Sequence, residues 1–65
     1  MNKQLLEQNI DQETQAFLIG QFETMQEMGY SEKDIRGVTP EDAFENWCIE
    51  VSEQDIERAL DNIRF

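Results

Sequence analysis

Apolar residues fall three or four apart along most of the chain. β-branched residues are few and do not alternate with polar ones, so the pattern predicts helices and no sheet. Leu18, Phe22 and Met25 form one stripe, with Phe17 and Ile19 flanking it on opposite sides. This arc is wider than a simple surface helix needs, and it predicts a helix packed on more than one side, from about Gln12 to Met28. Asp11 is placed to cap its start and Gly29 to end it. Upstream, Lys3 to Asn9 with Leu5 and Leu6 reads as a frayed leading turn or a short helix.

Two further patterns follow. Phe44, Trp47, Cys48 and Val51 give i, i+3, i+4, i+7 in a helix predicted from Pro40 to about Glu50. Ile56, Ala59, Leu60 and Ile63 repeat the pattern in a helix from Glu53 to about Ile63. A short helical turn, Glu32 to Arg36 closed by Gly37, lies before them. The expected fold is all-α, a compact bundle of three main helices plus one or two short helical turns, in one domain over residues 1–65.

The helix starts are marked by a hydroxyl followed three residues later by a carboxylate: Ser31 with Asp34, Thr39 with Asp42, and Ser52 with Asp55. Each side-chain oxygen can accept from an otherwise unpaired first-turn amide. Thr39 carries the strongest signal, because Pro40 has a preset φ and no amide to satisfy, and Glu41 and Asp42 complement the dipole. Gly20 interrupts the first long helix on its far side, together with Ala16. Either these small residues admit another helix, or the glycine is simply tolerated at a cost of about 1 kcal/mol.

Composition restricts function more than it restricts fold. Fifteen acids face five bases with no histidine, a formal charge of -10 over 65 residues. The bases are also segregated. From Gln4 to Glu32 the acids Glu7, Asp11, Glu13, Glu23, Glu27 and Glu32 meet no base, and from Gly37 to Glu57 neither do Glu41, Asp42, Glu45, Glu50, Glu53, Asp55 and Glu57. Such a field disfavours direct nucleic-acid binding and anionic membranes, and favours basic protein surfaces, which are often built to hold nucleic acid. The alternative is a solubilising surface combined with the preference of acids for first helical turns.

Chemistry is sparse. Without histidine the usual base near neutrality is missing, and Cys48 has no imidazole to activate it, so no enzyme is expected. No zinc ligand set or calcium-loop spacing occurs, no glycine loop cradles phosphate, and no cofactor is expected. Cys48, the one cysteine, falls at a core-like helical position and reads as a small buried hydrophobe in a reducing cytoplasm. No signal-peptide pattern and no run of 18 apolar residues appears, so neither secretion nor a membrane partner is expected. The small core leaves monomer and homodimer both open.

If the Pro40 helix is regular through residue 50, Ile49 projects to the same outer face as Asp42, Glu45 and Asn46. It is then either the apolar centre of a contact with a negative rim, or a side chain buried against the amino-terminal segment. The candidate partner-binding residues are Asp42, Glu45, Ile49, Glu53 and Glu57.

Met25 to Ser31, M-Q-E-M-G-Y-S, and Asp55 to Ile63, D-I-E-R-A-L-D-N-I, resemble the methionine-glycine-aromatic loop and last helix of ubiquitin-associated domains. That resemblance covers about half the chain. It implies a three-helix bundle that binds ubiquitin through this loop and the end of the last helix; the stretch between the two segments is longer than the family pattern.

Two functional expectations follow. The first is a small acidic inhibitor that occupies the basic channel of a nucleic-acid-binding protein, as phage and mobile-element proteins do against restriction, CRISPR or transcription machinery. The second is a helical adaptor that binds through an apolar groove, with charge serving solubility alone.

Overall fold

The computed structural model describes the backbone of residues 3–65 and the side chains of residues 12–65. Four helices follow in order: α1 (Lys3–Glu27), α2 (Glu32–Arg36), α3 (Pro40–Trp47) and α4 (Glu53–Asp61). The fold is the expected all-α bundle, with no strand among the described residues.

The first helix is longer than its pattern predicts. It runs without interruption through residue 11, so Asp11 is not its cap, and the leading turn expected over Lys3–Asn9 belongs to α1 itself. No glycine or proline stands between Asn9 and Gln12, and an interior aspartate costs a helix only about 0.7 kcal/mol. The other end is sharply defined. Gly29 takes φ +94, its N–H bonds the Gln26 carbonyl at 3.1 Å, and the Tyr30 N–H reaches back to the Met25 carbonyl at 3.1 Å. These are the paired bonds of a glycine-terminated helix, and they turn Met28 and Tyr30 outward as the chain reverses.

The start signals are used as expected. The Thr39 hydroxyl accepts from the Asp42 amide at 3.1 Å while the Asp42 carboxylate accepts from the Thr39 amide at 3.0 Å. Ser52 and Asp55 form the same reciprocal pair at 3.2 and 3.0 Å. At Ser31 the hydroxyl accepts from the Asp34 amide at 3.1 Å.

The core gathers Leu18 and Phe22 of α1, Ile35 of α2, and Ile56, Ala59, Leu60 and Ile63 around α4, with Met25, Val38, Trp47, Ile49 and Val51 packed against it. Gln15 joins the same two long elements by donating from Nε2 to the Asp55 carbonyl at 2.9 Å. The carboxyl end is held similarly: Gln26 donates to the Arg64 carbonyl at 2.7 Å, and the Arg36 guanidinium lies 4.5 Å from the centre of the Phe65 ring. Gly20 is exposed, and a β-carbon built there meets nothing within 4 Å. Among the described residues no helix approaches it, so it is a tolerated glycine.

The third helix departs most from expectation. It stops at Trp47 and not near Glu50, because Cys48 adopts the left-handed conformation at φ 58, ψ 39 and its N–H closes on the Phe44 carbonyl. The buried face is therefore Ala43 with Trp47, one turn apart, while Phe44 stands 57% exposed and Cys48 is exposed rather than buried. Two β-branched residues, Ile49 and Val51, follow the break, and such side chains favour extended backbone over another helical turn. Ending α3 early lets both of them fold back onto the core, which offsets the strain at Cys48.

Candidate protein-binding surface

One partner of each reciprocal cap, Asp42 or Asp55, is an acid from the charged stretch, so two of its carboxylates serve the fold. Asp42 is half-buried, bonded to the Thr39 amide, and lines a groove between α1 and α3. Asp55 is similarly occupied at Ser52. The exposed carboxylates lie elsewhere. On α3, Glu41 and Glu45 are one turn apart, and on α4, Glu53, Glu57 and Asp61 form a row at four-residue intervals; all five are exposed. Residues so spaced stand about 5–6 Å apart at their β-carbons.

Pro40 joins the two rows. It borders a groove that also includes Glu53, Ile56, Glu57 and Leu60, and it borders a depression of ≈ 320 Å³ that includes Glu41, Phe44, Glu45, Glu50 and Val51. Among the predicted binding residues, Glu45, Glu53 and Glu57 thus lie on this continuous region, whereas Asp42 faces the α1–α3 groove. Ile49 sits in an adjoining hollow beside Glu13, Thr14 and Phe17, which shares Glu50 and Val51 with that depression, and it is half-buried and packed against the core. The regular helix that would have turned it outward ends before it.

Of the two expectations for Ile49 the structure shows packing against the core, and Phe44 is the apolar side chain of α3 that stands exposed. Its exposure was hidden in the sequence by a second register, Ala43 with Trp47, that satisfies helical spacing equally well. The signal that separates the two registers is the Ile49–Val51 pair before the Ser52 cap, which leaves no room for α3 to continue.

The second open feature is the α1–α3 groove, ≈ 390 Å³, where Met25, Met28, Tyr30, Val38 and Trp47 supply the apolar lining. Met28 is 69% exposed and Tyr30 47%. This is the methionine-glycine-tyrosine turn, displayed by the geometry of Gly29.

Among the described residues, no three His, Cys, Asp or Glu side chains form a group able to hold a metal ion, and no helix is long and apolar enough to cross a membrane. Arg36 pairs with Glu32 at 2.7 Å within α2, and it also lines the groove that holds Pro40, Glu53 and Glu57. Comparison with protein-family models, with curated proteins and with solved structures returns no match to this chain.

Proposed function

We propose that this protein is a non-enzymatic acidic inhibitor that docks on the basic, nucleic-acid-binding surface of another protein, presenting the carboxylate rows of α3 and α4 where phosphates would otherwise sit. The observation that carries this reading is the position of the acids relative to the helix ends. First-turn acids such as Glu41 and Glu53 are favoured by the helix dipole and need no other explanation. Glu45 in the last turn of α3 and Asp61 at the end of α4 are placed against that dipole, and each forfeits about 0.3–1 kcal/mol at low salt. Stability alone does not select such positions. A row whose purpose is to meet a positive surface does, and its loose likeness to a phosphate backbone requires only charge at roughly helical-turn spacing.

A second reading has its own support. The exposed Met28 and Tyr30 beside a ≈ 390 Å³ groove suit an adaptor that receives an apolar partner face, with the charge serving solubility.

Immobilised protein exposed to a native lysate, with and without nuclease, separates the two. The inhibitor reading expects a captured nucleic-acid-binding protein that is released at high salt and displaced by added DNA or RNA. The paired reversal Glu45→Lys/Glu53→Lys slows its association and flattens the salt dependence. Capture indifferent to salt and to nucleic acid, lost instead on Met28→Ser, establishes the adaptor and removes the inhibitor.

A further inference from the structure

We propose that Phe44 is the apolar anchor of this contact, and that the partner segment it receives carries an aromatic or aliphatic side chain flanked by lysine or arginine. The proposal rests on the reading of a basic protein partner and specifies what that partner must present.

Phe44 is more than half exposed at 57%, although α3 has an available inward position one residue earlier, taken by the fully buried Ala43. Its ring is not left on a plain surface. Pro40 and Val51 extend the apolar floor of the depression, while Glu41, Glu45 and Glu50 complete its lining, all three exposed. An apolar centre within a charged rim is the usual anatomy of a protein contact, where the centre supplies affinity and the rim orients and selects.

The rim then selects the occupant by sign. No base occurs between Gly37 and Glu57, so all the formal charge around Phe44 that this stretch contributes is negative. Nucleic acid and an anionic bilayer are repelled. A second copy of the chain docking about a two-fold axis would set the same three glutamates against one another, because such an interface pairs identical patches. A segment with lysine or arginine beside its apolar side chain meets both requirements. The aliphatic stems of those residues extend the apolar contact over Phe44, their cations face the ring and the carboxylates, and the partner loses no charge without a counterpart.

Two short lysine-rich peptides, identical except for a central phenylalanine in one and serine in the other, test this by fluorescence anisotropy at low salt. The phenylalanine peptide is expected to bind at least about tenfold more tightly, as befits an anchor residue. In Phe44→Gln, which keeps an exposed helix-compatible side chain, that preference disappears while the weaker lysine-driven binding remains. Circular dichroism confirms that the variant is folded, and Phe44→Met restores part of the preference. Amide shifts in the bound state centre on Phe44, Glu45 and Val51. Equal binding of the two peptides, with salt sensitivity retained, overturns the anchor and leaves the basic-partner reading standing. Binding of neither peptide overturns both. Three other outcomes each replace the proposed occupant: shifts centred on Met28 and Tyr30, self-association on sedimentation that Phe44→Gln abolishes, or Phe44-dependent binding to phosphatidylcholine vesicles.

Discussion

The indole of Trp47 stands edge-on to the Phe22 ring, with centroids 6.0 Å apart and planes at 72°. The same indole meets Phe17 in a second edge contact at 6.2 Å and 76°. One α3 side chain thus engages two residues of α1 that are five positions apart, on either side of the fully buried Leu18. Trp47→Ala is expected to cost about 3 kcal/mol, from the lost aromatic contacts and the void left beside Phe22. For a domain of this size that lowers Tm by more than about 10 °C. A thermal melt unchanged by the substitution would contradict the docking of α3 on α1.

The start and buried face of helix α4 were readable because Ile56, Ala59 and Leu60 are all buried, as is Ile63, although the helix ends at Asp61 and Ile63 lies just beyond it. The caps at Thr39 and Ser52 were equally legible, since a first-turn amide needs an acceptor whatever the tertiary context. Ile35 was not legible: a five-residue helix carries no periodicity, yet this side chain is fully buried in the core. The register of α3 was ambiguous for a related reason. Two turns bury only a narrow face, and Ala43 competes with Phe44 for it on spacing alone. The exposure of Phe44 and the packing of Ile49 follow from that ambiguity and from the left-handed Cys48, a backbone feature that no side-chain pattern announces.

Cys48 is the one non-glycine residue with positive φ among the described residues, and its side chain is exposed. An L-residue there forfeits roughly 1–2 kcal/mol, whereas glycine adopts the conformation freely and loses only additional chain entropy on folding. Cys48→Gly is therefore expected to stabilise the fold by about 0.5–1 kcal/mol. Chemical denaturation should show a higher midpoint at unchanged slope. A destabilised variant would mean that the sulfur makes a contact its exposure does not suggest.

Gly20 lies inside α1 with open space where a β-carbon would stand, and its carbonyl accepts from the Thr24 hydroxyl at 2.9 Å through backbone that a substitution retains. Gly20→Ala should gain up to about 1 kcal/mol from helix propensity alone. Loss of stability on this change would show that another surface approaches α1 there, such as a second copy of the chain, and sedimentation of both forms would reveal it.

Asp61 and Glu53 mark opposite ends of the same exposed row on α4, and the helix dipole treats them oppositely. Asp61→Asn removes a negative charge from the negative end and should stabilise by about 0.3–1 kcal/mol at low salt, while Glu53→Gln removes one from the positive end and should destabilise by a similar amount. Both differences should fade toward about 1 M salt, where the screening length falls to about 3 Å. Function should not follow stability. If the row meets a basic surface, both substitutions slow association with the captured partner, including the one that makes the protein more stable, because steering depends on the summed charge and not on the helix terminus. Paired melts and association rates for the two variants decide the matter. A stabilised Asp61→Asn protein that associates at the original rate would remove Asp61 from the binding face and confine the row to Glu53 and Glu57.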